Sequence, residues 1–227
     1  MCYLCFTERN KIMSVSEKAT IICSKCSAET DFVAWKSITT DTDPVFKEKV
    51  RAGELYQCIC PKCGNVTIIE YDTLYNEVDK DLTIYFVTSD ESYESAMELL
   101  KSDVEESEEE QSGVFRVVRS RAAFREKLLI SDAGYDDRAI EILKLITATH
   151  VKEIQKISFD TALFDMQKGK YGFVFFEKGK PGIFIPMIED MYKQVVTDFS
   201  PRYPVDEKDN LEVGLEWAIN IVKDNQF

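Results

Sequence analysis

The chain has 227 residues, 44% of them apolar, and a formal net charge of −13 at neutral pH. This apolar content supports one large core or two small ones. The charge argues against broad binding to phosphate backbones or anionic lipid, which need clustered Lys and Arg, and no run of about 18 apolar residues offers a transmembrane helix.

Residues 1–18 read as a flexible lead-in. The start, Met1-Cys-Tyr-Leu-Cys-Phe, is too short and wrongly flanked for a secretion signal. Seven cysteines without such a signal fit a reducing cytoplasm, where thiols bind metal instead of pairing. Cys2 and Cys5 form a Cys-x-x-Cys pair in this lead-in, and no metal role is assigned to them.

A short strand over 19–22 enters a first cysteine turn, Cys23-Ser-Lys-Cys26, and a β-rich stretch over 30–38 leaves it. Asp43-Pro44 then opens a short helix, with Asp43 as N-cap and Pro44 at the first helical position. Val45, Phe46, Val50 and Leu55 are placed inward, and Gly53 marks the helix end. Residues 56–60 run into a second turn, Cys60-Pro-Lys-Cys63-Gly64, and 66–71 leave it. After a polar turn, 81–87 form a further strand. Cys58, two residues before Cys60, points to the same side of its strand. It reads as a spare ligand or as a small buried apolar residue.

Two thiols two residues apart converge on one point where the backbone curls so that successive N–H groups face the sulfurs. One pair makes half a tetrahedral site and two pairs complete it. Cys23, Cys26, Cys60 and Cys63 therefore read as a four-thiolate site of zinc-ribbon type for Zn2+, with iron in a rubredoxin-like site as the alternative. Gly64 suits the residue after the second pair, and Pro61 stiffens that loop. Ser27 holds the equivalent place after the first pair and makes a less ideal turn.

Taken together, Cys23-Ser-Lys-Cys26, Asp43-Pro44 with a helix ending near Gly53-Glu-Leu55, Cys60-Pro-Lys-Cys63-Gly64, Tyr75 and Leu82-Thr-Ile-Tyr85 resemble the CpXC domain family over about 19–87. The segments from Arg119 and from Asp136 resemble the helices that follow such knuckles. Ser24 departs from the family's Cys-Pro-Xaa-Cys pattern, which loosens the turn but removes no ligand. The resemblance implies a metal-binding module without an established activity.

Residues 92–110 read as an acidic helix with an apolar stripe of Ala96, Met97 and Leu100, ending in the charge run Glu105-Glu-Ser-Glu-Glu-Glu-Gln. A strand follows over 114–118, then helices over 121–130 and 136–149. The second has the widest apolar face, from Ala139, Ile140, Leu143 and Ile146. Arg116, Arg119, Arg121 and Arg125 make the chain's one candidate basic cluster and read as a solvated face. His150, the only histidine, sits at a helix end, where its cationic form would meet the helix dipole.

Past residue 151 the pattern becomes an antiparallel meander over 153–160, 171–177 and 182–187, with a turn at Lys178-Gly-Lys-Pro-Gly182. Helices follow over 187–199, with Met191, Val195 and Val196 inward, and over 210–223, with Leu211, Leu215, Ala218 and Ile221 or Val222 inward. The expected architecture is α+β: an N-terminal zinc-ribbon-like β domain with an inserted helix, a helical middle segment completing a domain over 19–150, and a small α/β module over 151–227.

No nucleophile motif, P-loop or dinucleotide fingerprint is present. One histidine excludes hydrolytic zinc sites that use two or three, and a four-cysteine zinc has no open position for substrate. Asp137 and Glu141, one helical turn apart, are a candidate carboxylate pair, and with Asp136 they also read as helix-start acids complementing the dipole. The sequence thus points away from an enzyme. It points toward a cytoplasmic protein-interaction or scaffold module with a protein partner, no nucleic acid and no membrane. The alternative is a rubredoxin-like or thiol-switched redox protein.

Overall fold

The computed structural model describes residues 14–106 and 113–223. The chain is α+β and divides into two compact units, Met1–Arg121 and Ala122–Phe227.

The first unit is built on a five-stranded sheet of order β1-β2-β5-β6-β7. Its strands are β1 (Val15–Ile22), β2 (Glu29–Thr39), β5 (Thr73–Glu77), β6 (Leu82–Phe86) and β7 (Val114–Val118). β1 pairs antiparallel with β2, and β5 with β6; β2 runs parallel to β5, and β6 to β7. Parallel neighbours need long crossovers. The β6-to-β7 crossover contains α2 (Asp90–Glu106), with Ala96 and Leu100 buried. The β2-to-β5 crossover contains α1 (Val45–Arg51) and a small hairpin of β3 (Gln57–Ile59) and β4 (Val66–Ile68). Ile38, Tyr75 and Ile84 are fully buried on the central strands.

Strand β1 begins at Val15, so the expected lead-in is already sheet by that point. The central strand β5 stands where the sequence reading placed a polar turn. Its Asn and Glu weaken the strand signal, yet Thr73, Leu74, Tyr75 and Glu77 are all buried. Glu77 is tolerated there because Lys47 and Arg51 of α1 reach it at 2.6 and 2.8 Å and Tyr75 donates a 2.6 Å hydrogen bond. That contact docks α1 on the sheet. Asp43 does not cap α1: Pro44 takes the cap position without a side-chain bond, and Val45 is exposed while Phe46 and Val50 go inward. Gly53, with φ of 69°, ends the helix. Cys2 and Cys5 lie outside the described residues, as does the charge run beyond Glu106.

The second unit contains α3 (Arg121–Asp132, from Ala122 on), α4 (Asp137–Glu153), and a meander of β8 (Thr161–Gln167), β9 (Lys170–Glu177) and β10 (Lys180–Pro186). It ends in α5 (Glu189–Phe199) and α6 (Leu215–Lys223). Its core joins Ile140 and Leu143 of α4 to Phe164 and Phe173 of the meander, Val195 of α5 and Ala218 of α6. The unit boundary therefore falls at Arg121, ahead of the division expected at 151, because α4 packs its wide apolar face on the C-terminal elements.

The first meander strand is β8, not 153–160. α4 runs through His150 to Glu153, and Ile154 just beyond it is exposed. Both hairpin turns are Lys-Gly pairs with positive φ, Lys168-Gly169 and Lys178-Gly179, which suits tight two-residue connections. Met191 and Leu215, expected inward, are exposed; α6 starts five residues later than expected, while Leu211, Ala218 and Ile221 are buried as expected.

Candidate metal centre

Two loops of the first unit adopt the same backbone design. In the first, between β1 and β2, Ser27 N–H donates to Cys23 O and Cys23 N–H to Ala28 O, both at 2.9 Å. In the second, between β3 and β4, Gly64 N–H donates to Cys60 O and Cys60 N–H to Asn65 O, again at 2.9 Å. Each loop ends on a left-handed residue, Ser27 with φ of 55° and Gly64 with φ of 69°. Glycine takes that conformation freely and serine does so at a cost.

The loops bring four sulfurs together. The Sγ atoms of Cys23, Cys26, Cys60 and Cys63 all lie within 4.8 Å of one another. Cys23–Cys63 and Cys26–Cys60 are each 3.6 Å apart. Zinc–sulfur bonds of about 2.3 Å place tetrahedral sulfurs about 3.8 Å apart, so the cluster has the right size for one ion. It is too wide for disulfides, whose sulfurs sit about 2 Å apart, and all five described cysteines are free thiols.

The electrostatics suit thiolates. The backbone N–H groups of Lys25 and Cys26 hold the Cys23 thiol below its usual range. Burial works to raise Cys60, but the N–H groups of Cys63 and Lys62 and the neighbouring thiols outweigh it and bring that thiol down to about 6. The Ala28 N–H favours ionised Cys26, yet the crowd of sulfurs led by Cys63 drives it up to about 12. Four sulfurs this close cannot all ionise unaided, and a dication resolves the conflict. Cys23 and Cys60 are buried, while Cys26 and Cys63 keep some exposure.

Cys58 is buried but does not join the cluster. Burial pushes its thiol up, as expected of a small core residue.

The other candidate residues are occupied. Asp136 caps α4 by accepting Arg138 N–H at 2.9 Å, as expected of a helix-start acid. Asp137 and Glu141 are not an open carboxylate pair. Both are buried, and Lys127 reaches them at 2.7 and 3.6 Å. Lys144 joins Glu141 at 2.8 Å to Glu126 at 2.9 Å, and Glu126 also accepts the Phe164 N–H. Lys127 completes its shell on the Val213 carbonyl at 2.7 Å. This five-residue buried chain was missed because Glu126, Lys127 and Lys144 look like ordinary surface charges in sequence. The arginines make no basic face: Arg116 is buried, Arg119 pairs with Asp90, Arg121 with Glu70 and Arg125 with Asp165. His150 lies in the last turn of α4, where its carbonyl accepts the Ile154 N–H.

Among the described residues, no helix is long and apolar enough to cross a membrane. The family model described as CpXC protein matches residues 21–144, which takes in both cysteine loops. No curated protein and no solved structure matches the chain.

Proposed function

The chain belongs to the CpXC protein family, and from that premise we propose that Cys23, Cys26, Cys60 and Cys63 hold one Zn2+ in a closed, structural site of zinc-ribbon type. The observation that carries this reading is the four-sulfur cluster within 4.8 Å. Four protein ligands leave no coordination position for substrate, so the ion acts as a clamp between the two loops and supplies no Lewis-acid chemistry. The clamped unit serves as a rigid scaffold for a protein partner. Free thiols fit a reducing compartment such as the cytoplasm, and the net charge of −13 disfavours nucleic acid as the partner.

The test is metal content per chain on protein purified without added metal, read with the visible spectrum. One colourless zinc per chain is the expected result. Cys60→Ser should release it and abolish the cooperative melt of the first unit; a variant that keeps full metal and melts like the parent overturns the ligand set.

A second reading rests on the partial exposure of Cys26 and Cys63, which opens half of the cluster to oxidant. A rubredoxin-like iron site would show strong visible charge-transfer bands. A thiol switch would release metal reversibly under mild peroxide. Colourless protein that keeps its metal under peroxide removes both.

A further inference from the structure

Strand β1 is one edge of the five-stranded sheet and pairs with β2 alone among the described residues. All of its residues except Ile21 are exposed, Ile22 at 67%. The phase of the β1–β2 ladder follows from Cys23 N–H, which donates to Ala28 O in the register that sets Ile22 against Glu29. Bonded and non-bonded pairs alternate along an antiparallel ladder. Glu17, Ala19 and Ile21 therefore turn their N–H and C=O groups to β2, and Ser16, Lys18, Thr20 and Ile22 turn theirs away from it. The outer edge of β1 is a row of backbone donors and acceptors open to a further strand.

The order of residues along β1 selects a second copy of this chain as that strand. Two copies joined antiparallel through one edge are related by a two-fold axis normal to the sheet, so one residue faces itself. An axis at Glu17 sets two carboxylates opposite each other, and an axis at Lys18 sets two ammonium groups opposite each other. Like charges directly opposite destabilise a strand pair. An axis at Thr20 pairs only Lys18 through Ile22. An axis at Ala19 pairs Ser16 through Ile22: Ser16 meets Ile22 of the second copy, Glu17 meets Ile21, and Lys18 meets Thr20. The residues whose backbone groups point outward then form the bonded pairs. Ala19 falls on a non-bonded pair, where the Cα atoms approach to about 4.5 Å and a methyl group fits.

The charges complement each other in this register. Thr20 stands beside Asp31 of β2, so Lys18 of the second copy joins the cross-strand row of Thr20 and Asp31. Glu17 faces an apolar Ile21 and keeps its own Lys36 at 3.9 Å. Exposed Ile22 comes to lie beside Ser16 of the second copy, which neighbours that copy's Trp35. We infer that the protein forms a two-fold dimer through β1, antiparallel and centred on Ala19, which joins the two five-stranded sheets edge to edge. The inference rests on β1 and goes beyond the zinc reading. Each first cysteine loop follows Ile22, so the two loops sit at opposite ends of the paired segment and outside its hydrogen bonds.

The test uses the full, metal-loaded chain in sedimentation velocity over a range of concentrations, with backbone hydrogen exchange as the second measurement. A dimer is expected. Exchange at Ser16, Lys18, Thr20 and Ile22 should be slow in the dimer and fast on dilution to monomer, while Glu17, Ala19 and Ile21 stay slow throughout. Thr20→Pro removes an outward N–H and no bond to β2, so it should weaken the dimer about tenfold or more with metal content unchanged. Lys18→Pro makes the same test at the next outward position should Thr20→Pro disturb folding. Ala19→Cys should give a covalent dimer under diamide that the parent does not, because its two sulfurs meet at the axis; Lys18→Cys and Thr20→Cys should cross-link far less. A chain that stays monomeric at every concentration overturns the proposal. So does a dimer that both proline variants leave intact, cross-linking strongest at position 18 or 20, or slow exchange at Lys18 and Thr20 in a monomer, which would mean cover by the chain's own N-terminal segment.

Discussion

Ser27 and Gly64 occupy the same left-handed position at the ends of the two cysteine loops, with φ of 55° and 69°. A Cβ placed on Gly64 would meet nothing within 4 Å, so any cost of a side chain there is a backbone cost. Left-handed backbone costs a residue with a side chain roughly 1 kcal/mol, partly offset by the greater freedom glycine has in the unfolded chain. Gly64→Ser should therefore destabilise the metal-loaded protein by about 1 kcal/mol, and Ser27→Gly should stabilise it by about 0.5 kcal/mol. Denaturant melts of the two variants read both signs. Equal, neutral results would show that the loops relax out of the left-handed region.

Glu77 is the acid on which α1 is seated. Burial alone would raise its carboxyl, but Lys47, Tyr75 and Arg51 outweigh burial and hold it at about 2. A depressed folded-state value means the stabilisation is complete above the unfolded value near 4.5 and is lost as pH falls from there through about 2. Glu77→Gln should cost roughly 3 kcal/mol at pH 7 and much less near pH 2. Urea melts of parent and variant at several pH values check this. Parallel pH profiles would mean that Glu77 does not supply the acid sensitivity.

The four-cysteine cluster was legible because cysteine pairs two residues apart have few other uses, and β7 and α4 because their apolar periods are strong. What sequence concealed follows from partners far along the chain. Glu77 hides a central strand because its charge is answered by α1 some thirty residues earlier. β8 was displaced because α4 continues past His150, and the apolar residues beyond it imitate a strand. Lys127 and Lys144 resemble solvent-facing charges until α3 and α4 are packed together. Ile59, Val66 and Ile68 lie in the stretches expected to enter and leave the second cysteine turn, and the hairpin register with their exposure shows that they face outward.

The buried chain of Glu126, Lys127, Asp137, Glu141 and Lys144 holds three acids and two amines. Burial, reinforced by Glu141, pushes the Glu126 carboxyl up despite Lys144 and Lys127. Burial also works against the Lys144 ammonium, but Glu126 and Glu141 more than reverse it and drive that group up. A raised carboxyl contributes stability that is present below its unfolded value and is lost as pH rises through its folded value. Glu126→Gln should therefore gain stability relative to the parent as pH rises from 4 to 7. Lys144→Met leaves the buried Glu126 and Glu141 carboxyl groups without their shared cation and should cost roughly 3–5 kcal/mol at pH 7. Melts across that pH range check both, and a Glu126→Gln difference that is flat with pH removes the assignment.

Cys58 lies on β3 and Cys60 just past its end, both buried, yet Cys60 joins the sulfur cluster and Cys58 does not. The two substitutions should separate cleanly. Cys58→Ala loses only a small buried side chain, which should cost about 1 kcal/mol and leave the metal stoichiometry intact. Cys60→Ala removes one of the four proposed ligands, which would leave an incomplete shell of three thiolates, and metal affinity should fall by orders of magnitude. A strong chelator applied to the parent should reproduce the Cys60→Ala state: loss of protection at Cys23 N–H and Cys60 N–H, which close the two loops, and a lowered melting transition that added zinc restores. If Cys58→Ala lost metal along with stability, the fifth thiol would be acting as a ligand. If chelation left both loop amides protected, the loops would hold their shape through backbone bonds alone, and the ion would not be the clamp that joins them.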